Sequence, residues 1–375
     1  MFETSKHVLE NLMFLIGKYG YMPNGTRVYY LNRSQPPYFS LMAMTFYEYC
    51  MKSDELSLEQ KDQYRRFVLD EALVYMKKEY LFWMTHRSVK VKHNGSKFTM
   101  NIYNSDLDRP RPESYFEDLN TAKSCTNEQE KARMFRDIAA AAESGIDFSS
   151  RWFSDPMKME TIHTTNIIPV DLNALLYKVE VVISNLSKLK GDLVDFRKFR
   201  TNSIKRKSVI NSLMWSSKLN SWADYDLVSQ RLNEENFYIT NLSPLWMDIK
   251  PPRLSVRHVI DSNMHILSEN AGGVPFSLVN SSQQWDFSNV WPPNQHSIIM
   301  MLLKHNRELA LLIAKKFFNS VYLGWLNTGL IYEKYNAVKP GERGSGGEYV
   351  VQSGFGWSNG AILSIIQTFK DELVK

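Results

Sequence analysis

The sequence predicts an all-α protein built as a single domain, and three observations carry that prediction. Apolar residues recur at helical spacing from the first residues to the last. No Pro- or Ser-rich linker and no repeat of fixed period divides the 375 residues. The composition, 43% hydrophobic and 23% charged, is that of a chain able to bury a sizeable core. Helices joined by long loops can close as a helical barrel, a solenoid or an irregular bundle, and periodicity alone does not choose among them.

In chain order, the first element is an amphipathic helix within "MFETSKHVLENLMFLIGKYG", with Leu9, Leu12, Met13 and Ile16 on one face. This stretch lacks the basic, apolar and small-residue order of a signal peptide. No apolar run reads as long enough to span a bilayer, so no transmembrane segment is expected. A second helix aligns Val68, Ala72, Tyr75 and Met76. Thr126 with Gln129 three residues on reads as a capping box opening the helix that contains "ARMFRDIAAAAE". That helix meets Gly145 where a left-handed cap would end it, and its four alanines suit close packing. Leu309, Leu312, Ile313 and Phe317 mark another helix. Between helices, "VKHNGSKFTMNIYNSDLDRPRPESY" and residues 243–257 read as loops longer than bundle connections need, and such loops often carry function.

Composition narrows the function classes. A net charge of +5, from 45 basic and 40 acidic residues, is too small an excess to argue for a nucleic-acid or membrane surface. The basic run "RKFRTNSIKRK" (197–207) is interrupted by Phe199 and Ile204 at helical spacing and reads as a solvated helix face, so no nucleic-acid partner is expected. Two cysteines, Cys50 and Cys125, cannot form a disulfide framework, and eight scattered histidines lack metal-ligand spacing; neither metal nor cofactor is expected. An aromatic content of 13% is high enough to hint at sugar or apolar ligand surfaces.

Five segments mix polar, charged and aromatic residues in the manner of a sugar pocket: "PNGTRVYYLNRSQPP", "RPRPESY", "AAESGIDFSSRW", "QWDFSNVWPPNQ" and "GSGGEYVVQSGFGWSNG". The last sets six glycines among seventeen positions with Glu348, Tyr349, Phe355 and Trp357, which suits a binding loop better than a flexible linker. Taken singly, Asp147 could be a loop Asp capping the next turn and Glu333 a solvated charge. Both, however, follow the C-terminal ends of long helices, which in a barrel of alternating helices would place them at one mouth. Two carboxylates across a cleft are what glycosidic hydrolysis requires, one protonated to serve the leaving oxygen and one ionised to activate water. Asp147, beside Ile146, Phe148 and Trp152, has the more apolar surroundings and is the natural acid.

Taken together and in this order, "RSQPP", "RPRPESY", "ESGIDFSSRW", "QWD" and "GGEYVVQSGFGWSNG" resemble the signatures of the trehalases, inverting hydrolases of α,α-trehalose, over about residues 6 to 369. The resemblance implies an (α/α)6 barrel, with Asp147 as general acid and Glu333 as the base that activates water. It implies substrate binding by Asn24, Arg33, Ser34, Gln35, Arg111, Pro112, Glu113, Gly145 and Glu348. Tyr349, Phe355 and Trp357 are expected to wall the pocket, and Ser358 to cap the closing helix. Trp285 and Asp286 belong to a second signature and receive no catalytic step. Where the family usually has Trp, Pro, Gly and Ala, this chain has Ile146, Ser288, Val290 and Pro293, so the pocket floor and the loop after Trp285 are expected to be reshaped.

The resemblance also implies that a first signature, carrying an Arg and a Trp-Asp pair, lies upstream of the helix that opens this sequence, together with the first barrel helices. The expectation for residues 1–375 is thus a single catalytic domain whose barrel is incomplete at the N-terminus, poorly soluble and essentially inactive when expressed alone. The alternative function is a trehalase-like fragment that binds sugar or a partner without turnover. By resemblance to animal trehalases the protein is expected to be secreted or extracellular-facing. Asn94, Asn185, Asn241 and Asn280 head glycosylation sequons, while those at Asn24 and Asn32 lie in the sugar loop.

Overall fold

The computed structural model describes residues 1–373. Its helices are α1 (Phe2–Tyr19), α2 (Phe39–Lys52), α3 (Leu58–Arg66), α4 (Leu73–His86), α5 (Tyr115–Thr121), α6 (Glu128–Ser144) and α7 (Val170–Lys190). They continue as α8 (Leu193–Leu213), α9 (Ser243–Trp246), α10 (Val256–Ser262), α11 (Met264–Ser268), α12 (Pro292–Leu303), α13 (Arg307–Thr328) and α14 (Gly356–Phe369). The expected faces are the buried ones: Leu9, Met13 and Ile16 on α1, Met76 on α4, and Leu309, Ile313 and Phe317 on α13. Val68 and Ala72, also buried, belong to a π-helical turn, Phe67–Ala72, that joins α3 to α4. Leu312 departs from its predicted stripe and faces solvent.

Helix ends refine the sequence reading. The cap of α6 is Asn127, one residue after Thr126: its side chain accepts from the Glu130 backbone N–H at 3.0 Å. Glu130 then reaches back to the Thr126 N–H and hydroxyl at 2.8 and 2.9 Å, so the reciprocal pattern survives in a shifted register. Gly145 ends α6 with φ 74°, a left-handed conformation that a Cβ disfavours. Ser358 is not a cap. The helix α14 starts after Phe355, and Ser358 lies inside its first turn with its hydroxyl donating to the Glu333 carbonyl at 3.4 Å.

α7 carries the longest buried face and packs against α2, α4, α8 and α9. α12 continues the arrangement against α9, α13 and α14, while α1 packs on α2 and α4. Fully buried Trp83, Trp152, Trp222 and Trp291 fill the core. Taking one off water contributes about 4–6 kcal/mol by its area.

Part of the long loop before Arg111 is a hairpin, β1 (Ser88–His93) with β2 (Ser96–Asn101), in antiparallel register from Ser88↔Asn101 to His93↔Ser96. Its two turn residues, Asn94 and Gly95, have φ 47° and 76°, the left-handed pair of a tight hairpin turn. The basic run lies on α8, where Arg206 is buried and bonded to Glu180 Oε1 at 2.9 Å and Asn101 Oδ1 at 2.8 Å; Phe199 is also buried and Ile204 exposed.

Among the described residues one helix, α13, is long and apolar enough by length and composition to cross a membrane. It nevertheless buries Leu309, Ala310, Ile313, Ala314, Phe317 and Val321 within the fold, packing on α11, α12 and α14. Of the sequon residues, Asn94, Asn185 and Asn280 are exposed, while Asn241 is buried, which rules it out as a glycan site in the folded chain.

Candidate active site

Asp147 sits two residues beyond the left-handed end of α6 and is half-buried. The main chain around it is clamped on both sides. The Trp152 indole donates to the Ile146 carbonyl at 2.8 Å, the Trp285 N–H donates to the Phe148 carbonyl at 3.1 Å, and the Gln284 amide donates to the Asp147 carbonyl itself. Burial pushes the Asp147 carboxyl up to about 6; Arg111 and Arg33 act in the opposite direction and Glu348 adds to the rise.

The segment after Asp147 is fastened by Asp286, which is buried and accepts from Ser149 Oγ (2.8 Å), the Ser150 N–H (2.7 Å), Ser277 Oγ (2.9 Å) and Ser281 Oγ (2.5 Å). Asp286 is thus the joint between the Asp147 loop and the loop after α11, a part that its short sequence motif does not disclose. The aromatic floor beside it is a stack of Trp285 on Trp291, with centroids 3.9 Å apart and planes 9° from parallel. Trp357 meets Trp291 edge-on at 5.5 Å.

Glu333 follows α13, whose left-handed end is Gly329 at φ 72°. Its side chain is buried; Tyr349 Oη donates to Oε1 at 2.8 Å and the Gln352 N–H to Oε2 at 3.2 Å. Its carbonyl accepts from the Trp357 indole at 3.2 Å. A two-residue antiparallel ladder, Asn289–Val290 with Tyr335–Asn336, ties this segment to the loop that bears Trp285 and Asp286. Both carboxylates therefore lie on loops laced to the same central segment, 281–290.

Around them lies a ring of charge. Arg33 forms an ion pair with Glu113 and donates from Nε to Asn24 Oδ1 at 3.2 Å. Asn24 donates to the Ala142 carbonyl at 3.3 Å, and Gln35 Nε2 donates to the Asn24 carbonyl at 3.1 Å. Arg111 pairs with buried Asp118 at 2.7 Å and with Glu348 at 3.2 Å, and Ser114 Oγ also donates to Glu348 at 3.0 Å. Pro112 opens the short 3₁₀ turn that sets the spacing of Arg111 and Glu113.

Ser34 is turned inward and fully buried: its N–H and hydroxyl both donate to Glu143, at 2.8 and 2.9 Å. Glu143 also accepts from Arg87 Nε at 2.9 Å and the Asn104 N–H at 2.8 Å. This hub anchors the loop bearing Arg33 and Ser34 to α6 just before Gly145. Sequence reasoning singled out neither Arg87 nor Glu143, and only the tertiary contact identifies them.

In the Gly-rich loop, Gly346 and Gly347 have φ 77° and 89°. A Cβ on Gly346 would stand 2.5 Å from the Ser282 carbonyl oxygen, and one on Gly347 2.7 Å from Gln284 Oε1. The glycines thus let the backbone approach residues 282–284 and bring Glu348 to Arg111.

A cavity of about 460 Å³ next to Gly145 and Ile146 is lined also by Trp285, Trp357, Glu79 and, from α1 and α2, Leu12 and Met42; neither Asp147 nor Glu333 lines it. The Glu79 carboxyl is buried without a hydrogen-bond partner among the described residues, and burial pushes it up to about 8, so it is mostly neutral near pH 7.

The family profile named Trehalase matches residues 1–370. The chain is similar to the trehalase of Apis mellifera, 34% identical across 100% of this chain and 59% of that protein, and to the trehalase of Dictyostelium discoideum, 36% identical across 98% of this chain and 63% of that protein. It spans about three fifths of the length of these curated relatives. In structure it is similar to the neutral trehalase Nth1 from Saccharomyces cerevisiae, with a TM-score of 0.76 and 19% identity over 99% of this chain and 68% of that one. The helical architecture is accordingly that of the (α/α)6 toroid. Because the match runs through every segment that builds the mouth, from the Arg33 loop to the Gly-rich loop, the chain belongs to the trehalase family.

Proposed function

We propose that the protein hydrolyses α,α-trehalose to two molecules of glucose with inversion at one anomeric carbon. The observation that carries this reading is the contrast between its two carboxylates. Asp147 stands half-buried in the mouth, with burial raising its affinity for a proton. Glu333, by contrast, is buried and accepts two hydrogen bonds, from Tyr349 Oη and the Gln352 N–H.

Asp147 donates its proton to the bridging oxygen as the glycosidic bond breaks. Glu333 takes a proton from the water that attacks the opposite face of the same carbon. The carboxylate left on Asp147 is stabilised by Arg111 and Arg33, both within electrostatic reach of it. Glucosyl hydroxyls exchange into the Arg33–Glu113 and Arg111–Glu348 pairs, where forked guanidinium and carboxylate groups can donate and accept at once. The relatives carry the name trehalase, which supports the choice of disaccharide.

Glucose release from trehalose by the full-length protein, measured beside maltose and sucrose, tests the proposal. Release from trehalose in clear preference to the other two is expected. Saturable trehalose binding without glucose release would instead establish a sugar-binding protein without turnover. We also propose an extracellular-facing route, supported by the exposed sequons at Asn94, Asn185 and Asn280. Protein from a secreting eukaryotic host should shift in mobility on treatment with an N-glycosidase, and absence of that shift would contradict the route.

A further inference from the structure

We propose that Lys334 is a positioning residue for the hydrolysis, a buried ammonium latch that holds the Gly-rich loop and the Gln284 turn in register with Glu333. The inference rests on the proposed function for its kinetic consequences, whereas its geometry stands independently.

Lys334 is fully buried, directly after Glu333, and has no carboxylate ion-pair partner among the described residues. Its Nζ donates instead to three backbone carbonyls: Ser345 at 2.7 Å, Gln284 at 3.3 Å and Gly346 at 3.4 Å. The ammonium also lies 5.2 Å from the centroid of the Trp291 ring. An ammonium has three N–H donors and no acceptor, so three carbonyls and an aromatic face satisfy it completely.

The three carbonyls belong to the two segments on which the other site carboxylates depend. Ser345 and Gly346 lead into Glu348, and Gln284 donates from its side chain to the Asp147 carbonyl. The Trp291 indole donates to the same Gln284 carbonyl at 3.1 Å, which fixes the turn from the other side. Packing agrees with bonding: a Cβ on Gly344 would stand 2.9 Å from Lys334 Cγ, so the loop lies directly on the lysine stem. One side chain thereby joins the segments of Asp147, Glu333 and Glu348.

Burial pushes the Lys334 ammonium down to about 8, while Glu333 acts in the opposite direction; near pH 7 it remains mostly protonated and makes all three bonds. Methionine would keep the stem and leave the Ser345 and Gly346 carbonyls without this donor, and Gln284 with Trp291 alone. Arginine would keep the charge but spread its donors over a planar fork that the compact carbonyl cup does not match.

The test compares the parent chain with Lys334→Met and Lys334→Arg by amide hydrogen exchange and by kinetics on trehalose. The latch predicts at least tenfold faster exchange in the peptides covering 344–352 and 282–286 of Lys334→Met, with α7 peptides unchanged, and a smaller increase in Lys334→Arg. It also predicts at least a tenfold rise in KM for Lys334→Met. Glu348→Gln is expected to raise KM in the parent and to add no more than twofold in the Lys334→Met background. Unchanged exchange in both loop segments, or full additivity with Glu348→Gln, would overturn the proposal. If Lys334→Met does not fold, Lys334→Arg carries both readouts with the same directions. Exchange needs no turnover, so a latch seen in a parent that does not hydrolyse trehalose would refute the functional reading while leaving the geometric one standing.

Discussion

Asp147 and Glu333 are the same kind of group, and the proposed hydrolysis assigns them different roles by their surroundings. Asparagine at 147 or glutamine at 333 preserves shape and removes the titrating proton, so each change should lower kcat by about a hundredfold to ten-thousandfold. Retention of activity within tenfold of the parent would contradict the assignment. The direction of the Asp147 shift also fixes a pH dependence. An acid raised to about 6 is protonated below that pH and loses its proton as pH rises through it, so kcat/KM should fall on the alkaline side of about 6. The residual activity of Asp147→Asn should lack that limb; a limb that persists there belongs to another group. Glu143 makes a different kind of prediction. With Arg87 buried against it, Glu143→Gln leaves a buried guanidinium without its counter-charge, at a cost of about 3–5 kcal/mol in unfolding free energy. Thermal or denaturant unfolding reads this directly, and a loss under 1 kcal/mol would show that the hub is not a stabilising centre.

Elements whose signal is local were legible in the sequence. The stripes on α1 and α13 and the glycine ends of α6 and α13 follow from periodicity and from the left-handed conformation glycine tolerates. The cap of α6 was misplaced by one residue because Thr126 and Asn127 are both good cap residues, and the Glu130 side chain that bonds Thr126 lies four positions away. The hairpin of β1 and β2 read as loop although Asn94–Gly95 is a strong hairpin signal, since lysines and polar residues obscure the alternation around it. The Gly-rich loop was read as a binding element from its composition, but why it needs glycine at 346 is a matter of contact with Ser282. Gly346→Ala should force the loop away from residues 282–284, weaken the Arg111–Glu348 pair and raise KM for trehalose several-fold, with little change in melting temperature. An unchanged KM would show that the loop adapts without moving Glu348.

At the scale of the whole molecule, the sequence left barrel, solenoid and bundle open until its motifs were read together. The reason is physical: periodicity reports which face of a helix is buried, not which helix covers it. The same limit hid the joints at Glu143 and Asp286, whose partners lie on segments far apart in the chain. The proposed hydrolysis divides roles between two carboxylates, and stereochemistry reports that division most directly. Proton NMR of trehalose hydrolysis, followed before mutarotation equilibrates the products, distinguishes the anomers as they form. Inversion with Asp147 as acid and Glu333 as base predicts one α-glucose and one β-glucose per trehalose at early times. Two α-glucose molecules at those times would mean retention and would contradict the roles assigned to this pair.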